Sequence, residues 1–197
     1  MKFGIYVEMQ NPKDYWKPHD QVYREVLEQI EHADKRGFST FNTLEHHWFE
    51  EFSISTNPMA LFAAAAQRTK NIRFRTCSHV LPLHNPMVFA GQVAVTDILT
   101  GGRFEFAVGR GHAWVYPKAS IPLEESRGRF KEALEILDWI KENGGVEVFQ
   151  NYEMAYSYIR ENGVVSPLFL SHIKTKTQEI KSRLGKNEEE SCKIYSA

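Results

Sequence analysis

An α/β protein on a parallel sheet with helical crossovers, open or closed, is the fold class this chain predicts. Three observations predict it. Short apolar runs alternate with apolar residues at helical spacing. The strand-helix alternation recurs four times, at intervals of about thirty residues. Two of the helices open on the same Asn-Pro signal.

Phe3 to Val7 is the first apolar run. Tyr23, Val26, Leu27, Ile30 and Ala33 then recur at helical spacing, and Gly37 supplies the stop. Phe38 to Leu44 is the second run. It leads through a histidine-rich stretch to Asn57-Pro58, where Asn caps a helix and Pro fits its first turn. That helix is expected through Arg68, and its four successive alanines permit close packing. Ile72 to Leu81 is the third run. Asn85-Pro86 repeats the cap before Val88 to Leu99, which ends at Gly101-Gly102. Phe104 to Val108 is the fourth strand, and Phe130, Ala133, Leu134, Leu137 and Ile140 mark the long helix after it.

At 197 residues the chain suits one domain with an appendage, and its formal net charge of -1 makes no electrostatic case for nucleic acid or an anionic membrane. A small molecule is the expected partner. Two cysteines, Cys77 in an apolar run and Cys192 in a polar tail, suggest no disulfide framework and fit a reducing cytoplasm. No stretch approaches a membrane span, and MKFGIYVEMQ is too short and polar for a signal peptide, so the expected location is cytoplasmic.

Right-handed crossovers gather functional groups where strands end and the following loops begin. Glu45, His46, His47, His79, Arg110 and His112 all fall there. A metal site would draw on Glu45, His46, His79, His84 and His112. Adjacent residues on an extended strand point to opposite faces, however, so a His-His pair grips one ion poorly, and no metal is expected. Gly109-Arg110-Gly111 follows the fourth strand as a small anion-binding turn or as a plain strand-ending turn with a solvated arginine.

The series MKFGIY, LEHHWFEEF, IRFRTCSHVLPLHNP, DILTGGRFEFAVGRG and SRGRFKEALEIL resembles, in order over residues 1 to about 142, the bacterial luciferase-like, flavin-dependent monooxygenase family. The resemblance implies a (β/α)8 barrel, of the TIM-barrel type, that uses reduced FMN (FMNH2) and O2 to oxidise a small organic substrate, a long-chain aldehyde in the light-emitting, alkanal monooxygenase members. A flavin reductase is the implied source of reduced flavin. In that family's pattern His46 matches the histidine that assists proton transfer beside the flavin, a role imidazole suits near neutrality, and His47 is its support. Cys77-Ser78 matches the dipeptide that forms a non-proline cis peptide beside the flavin ring in the light-emitting subunit. Gly109 stands where that subunit has a reactive cysteine, so thiol chemistry is not expected there. Arg110 matches the arginine on the flavin phosphate. Trp48, Phe49 and Leu81 could line the ring pocket, although as apolar residues they are expected in the core.

The chain departs from the family after Ile140, because a full barrel needs about 250 residues. An incomplete barrel of four to five units is expected over residues 1–142. A divergent, mainly helical segment follows over 143–185: a strand at Val146 to Phe149, and helices carried by Tyr152, Ala155, Tyr158 and Ile159 and by Ile173, Thr177, Ile180 and Leu184. A solvated tail completes it over 186–197. Open sheet edges and uncovered, apolar barrel-facing residues predict self-association into a homo-oligomer. A truncated, non-catalytic flavin-binding relative and an inactive barrel fragment remain as alternatives to the enzyme.

Overall fold

Four strand-helix passages follow one another along the chain. The structure, a computed structural model, describes residues 1–142; the expected segments 143–185 and 186–197 lie outside the described residues. Strand β1 (Gly4–Tyr6) leads to helix α1 (His19–Lys35), β2 (Thr40–Thr43) to α2 (Pro58–Ala66), and β3 (Arg73–Thr76) with β4 (His79–Val80) to α3 (Pro86–Thr100). The fourth passage is β5 (Phe104–Glu105), β6 (Val108–Gly109), a short α4 (Val115–Lys118) and α5 (Ser126–Glu142).

The caps act as the sequence reading requires. The Asn57 side chain accepts from the Ala60 N–H at 3.2 Å, and Asn85 accepts from Met87 and Val88 at 3.0 and 3.3 Å. Gly101 ends α3 in the left-handed region at φ 63°. Helix α2 stops at Ala66, two residues before the expected end. The Ala65 carbonyl is taken by the Thr69 hydroxyl at 2.9 Å and by the Arg68 N–H at 3.0 Å, which tightens the last turn.

Among the described residues all strand pairings are parallel. β1, β2, β3 and β5 form one sheet in that order, with Phe41 opposite Phe74 and Phe74 opposite Phe104. The third and fourth passages are each broken, and their outer pieces pair separately, His79 opposite Val108 and Val80 opposite Gly109. The break in the third passage lies at Cys77-Ser78, whose peptide bond is cis. Thr76 bridges the gap: its hydroxyl receives the Ala107 N–H at 3.1 Å, and the Ala107 carbonyl receives the His79 N–H at 2.8 Å.

The core lies between the sheet and the helices. Val22, Val26, Ile30 and Ala33 bury one stripe of α1. Phe62 of α2 packs its ring at 6.2 Å from Phe41, 5.3 Å from Phe74 and 5.8 Å from Phe104, and so ties three strands to one helix.

The opposite, barrel-facing side of the sheet corrects one expectation. Tyr6, Thr40, Asn42, Arg73, Arg75 and Glu105 occupy it, and Glu105 accepts from Arg73 Nε at 2.6 Å and Arg75 Nε at 2.8 Å. That face is polar because the strands alternate apolar-out, polar-in, as in the burial pattern of Arg73–Thr76. Tyr6 is the exposed aromatic of that face, and helix α3 carries a separate group of exposed apolar side chains: Val88, Val95, Ile98 and Leu99.

Candidate functional site

The site begins at the end of β2, where the chain leaves the sheet as Leu44-Glu45-His46-His47. The Glu45 N–H bonds the Ser78 carbonyl at 3.1 Å and the His46 N–H bonds the Ser55 carbonyl at 2.9 Å, so consecutive residues are tied to different neighbours and their side chains diverge. Glu45 and His47, two apart, converge, and His47 Nε2 lies 2.6 Å from Glu45 Oε1.

Glu45 is a buried carboxylate and collects imidazoles from the next passage. His79 Nδ1 stands 3.0 Å from Oε2, His84 Nε2 stands 2.9 and 2.8 Å from the two oxygens, and the Val80 N–H donates to Oε2 at 3.1 Å. Burial alone would raise the Glu45 pKa. The hydrogen bonds from His47, His79 and His84 outweigh it and hold the carboxyl well below the usual carboxylate range. An anionic Glu45 fixes the His79 proton on Nδ1, which leaves its buried Nε2 without a partner. Glu45, His79 and His84 each offer a ligand atom within 4.8 Å of the others. The same groups form the hydrogen-bonded anchor around Glu45, to which the Val80 N–H also donates.

His46 turns the other way, into aromatic surroundings. Its ring lies 4.6 Å from Phe52, 5.2 Å from Trp114 and 6.4 Å from Phe49, and its buried Nδ1 has no hydrogen-bond partner. Burial lowers its pKa, and the charges of His112 and His47 act in the same direction against an opposing backbone bond at Ser53. A neutral imidazole at neutral pH is able to accept a proton.

These groups border a cavity of about 230 Å³ at the carboxyl ends of the strands. Its wall includes Glu45, His46, His47, Cys77, Ser78 and His112. Four of the six predicted site residues are thus brought together. Gly109 and Arg110 are not on that wall. Gly109 lies behind it, where a Cβ would stand 2.6 Å from Ser78 Oγ, so a side chain at 109 would push against the Ser78 side chain. Arg110 points to the start of α5, with Nη1 3.3 Å from Ser126 Oγ, and its carbonyl receives the Tyr116 hydroxyl. Trp48 and Phe49, expected in the core, are about half exposed at 50% and 49%, whereas Leu81 is fully buried.

Sequence reasoning missed two contributors. Glu45 was one of the strand-end residues, but its role as the hub for three histidines was not apparent; the Glu45-x-His47 spacing was the available signal. Trp114 reaches His46 from a loop about seventy residues away, and no local pattern announces it.

Comparison with known proteins places this arrangement. The family profile of the luciferase-like monooxygenases matches residues 1–168. The oxygenase component of the flavin-dependent trigonelline monooxygenase of Acinetobacter baylyi is 35% identical over 111 residues, 56% of this chain and 30% of that protein. Among solved structures, monooxygenase RslO1 of Streptomyces bottropensis superposes with a TM-score of 0.65 at 33% identity, over 70% of this chain and 42% of that one. The oxygenating constituent of 3,6-diketocamphane monooxygenase of Pseudomonas putida, solved with FMN, gives 0.65 at 25% identity, over 71% and 39%. The chain spans well under half the length of these relatives. Among the described residues no helix is long and apolar enough to cross a membrane. Its parallel βα passages are those of the (β/α)-barrel monooxygenases, and the chain belongs to the luciferase-like monooxygenase family.

Proposed function

We propose that this chain carries the proton-handling side of a flavin-dependent monooxygenase site, one that works with reduced FMN from a reductase and with O2 to oxidise a small organic substrate. The observation that carries the reading is the cavity at the strand ends, which collects His46, His47, Cys77 and Ser78 on one wall. The close approach of Gly109 to Ser78 keeps that wall thin, as a planar ring lying against backbone requires. At about 230 Å³ the cavity is smaller than the roughly 300–1,000 Å³ typical of ligand sites, so it fits one end of the cofactor, the ring. Arg110 beside the start of α5, outside the cavity, would hold the phosphate end.

Reduced flavin, when bound, would supply the two electrons that activate O2. The residues do the rest. His46, neutral and screened from water by Phe52 and Trp114, would accept or return a proton at the reacting centre. Glu45 would hold the neighbouring histidines in fixed positions through its hydrogen bonds.

The test is titration of the full chain with oxidised and reduced FMN, followed by oxygen uptake with candidate substrates. The reading expects binding in the micromolar range and oxygen uptake that falls at least a hundredfold in His46→Ala. Absence of binding at high micromolar FMN would eliminate it.

Self-association belongs to the same proposal, with its locus moved from the sheet to α3. Val88, Val95, Ile98 and Leu99 are the exposed apolar residues of that helix, and a second copy is the occupant that would cover them. Ile98→Lys would then shift the sedimentation coefficient toward the monomer.

A further inference from the structure

His46, His47, His79, His84 and His112 all stand at this end of the sheet, and one of them combines three properties. His47 lies on the wall of the cavity of about 230 Å³, keeps 23% of its side chain exposed, and is bonded to a buried carboxylate. His79 and His84 share that carboxylate but stand off the wall. His46 and His112 are on the wall but pair with no carboxylate among the described residues, and the Nδ1 of His46 is buried.

The bond to Glu45 fixes where the His47 proton sits. Glu45 is held ionised by hydrogen bonds that outweigh its burial, and an ionised carboxylate only accepts. The 2.6 Å contact between its Oε1 and His47 Nε2 therefore requires an N–H on Nε2. In a neutral imidazole the other nitrogen, Nδ1, then carries a lone pair. The bond to Glu45 is the one hydrogen bond of the His47 ring among the described residues, so that lone pair is open. The carboxylate cannot drift away from the ring: the Val80 N–H holds Oε2 at 3.1 Å, and the Glu45 N–H is itself tied to the Ser78 carbonyl at 3.1 Å. A buried carboxylate that fixes one tautomer, and also stabilises the imidazolium that forms, makes the far nitrogen an effective proton acceptor.

We infer that His47 is a second proton acceptor of this cavity, and that Glu45 is the positioning residue that fixes its tautomer. The Nδ1 lone pair takes the proton of a hydroxyl or water in the cavity, the O–H bonding electrons stay on the oxygen, and Nε2 keeps its own proton on Glu45. The carboxylate stays ionised throughout, and Nδ1 later returns the proton. The inference rests on the reading of this cavity as the reaction site and adds to it a residue whose open nitrogen is not buried.

The first measurement is the tautomer, read from long-range proton–nitrogen correlation spectra of the full chain with isotope-labelled histidine, at roughly pH 8, above the ordinary imidazole pKa of about 6.5. The His47 signals, assigned by their loss in His47→Gln, should show a protonated Nε2 and a bare Nδ1. Glu45→Gln should exchange the two. The Val80 N–H can only donate, so the amide oxygen takes the place of Oε2 and the N–H₂ takes that of Oε1, opposite His47 Nε2. The second measurement is labelling by diethyl pyrocarbonate, which acylates a bare imidazole nitrogen, mapped by peptide mass. His47 should react at least tenfold faster than the buried His79, and saturating FMN should slow it at least tenfold while the exposed His32 is unchanged. A proton on Nδ1 in the parent would overturn the inference, as would an unchanged tautomer in folded Glu45→Gln. Labelling of His47 no faster than of His79, or unaltered by bound FMN, would overturn it too. The parent's tautomer and labelling decide the matter even if Glu45→Gln fails to fold. Absence of FMN binding would sink the flavin reading alone, since a bare and reactive Nδ1 on His47 would still uphold this one.

Discussion

Two carboxylates, Glu45 and Glu105, each gather cationic or potentially cationic partners from a neighbouring strand, yet they belong to different physical regimes. Glu105 sits on the open, polar face of the sheet between Arg73 and Arg75, and all three side chains are about a third or more exposed. Glu45 is at 1% side-chain exposure, and its partners are three imidazoles and a backbone N–H. Both have their pKa held low. For Glu105 the hydrogen bonds from Arg73 and Arg75 are the largest cause, whereas for Glu45 burial is the largest influence and acts in the opposite direction. An exposed carboxylate has water to return to when a partner is lost. A buried one does not, so the same kind of contact ties the rim together in one place and decorates a surface in the other.

The largest effect should therefore come from Glu45→Gln. The amide keeps the shape but sets an N–H₂ against groups that already donate, and the loss should be about 3 kcal/mol, read as a lower urea midpoint with unchanged slope. A loss under about 1 kcal/mol would erase the contrast with Glu105. The sign of the pH dependence follows from the same geometry. A carboxyl whose folded-state pKa is depressed contributes stability that is fully present above its unfolded value and is lost as pH falls toward the folded one. The parent should lose stability on acidification below about pH 5, and Glu45→Gln should show a shallower loss across that window.

How much of this was legible in the sequence divides along the same line. Elements announced themselves where a single short segment carries the cause. Asn57 and Asn85 cap because an Asn side chain reaches an N–H two or three residues on, and Gly101 stops α3 because it adopts positive φ locally. The convergence of His46, His47 and His112 was also legible, because parallel strands deliver their ends to one rim, whereas Cys77 and Ser78 were reached only through the family resemblance. Arg110 shows the limit. Its position after β6 was right, but a long side chain has several partners within reach, and Ser126 lies sixteen residues away on another element. The polarity of the sheet's inner face was readable in Arg73-Phe74-Arg75-Thr76, since alternation assigns the arginines and the phenylalanine to opposite sides. Only the assumption that a barrel interior is apolar hid it.

Asp34 supplies an intermediate case that sharpens the comparison. At the end of α1 its carboxylate accepts the N–H groups of Lys70 at 2.9 Å, Asn71 at 2.9 Å and Ile72 at 2.7 Å, and so clamps the turn that starts β3. It is only partly buried. Burial works against the charged form, and the three backbone bonds, helped by Arg103, prevail and lower its pKa. Asp34→Asn keeps one acceptor oxygen and gives up the charge, so the expected loss is about 1.5 kcal/mol, between the two glutamates. Faster amide exchange at Lys70, Asn71 and Ile72 than in the parent would locate the loss at that turn.

Glu105→Gln should give the smallest effect. The two arginines keep their hydration and lose only contacts that water replaces, so the change should stay below about 1 kcal/mol. Salt separates this from a buried interaction. Raising ionic strength from 0.01 to 1 M shortens the screening length from about 30 Å to about 3 Å, so the difference between parent and Glu105→Gln should shrink toward zero. The Glu45→Gln difference should change little over the same range, because its partners meet it out of water. If both differences collapsed together, burial would not be what distinguishes the two carboxylates, and the rim would owe its rigidity to something other than the Glu45 anchor.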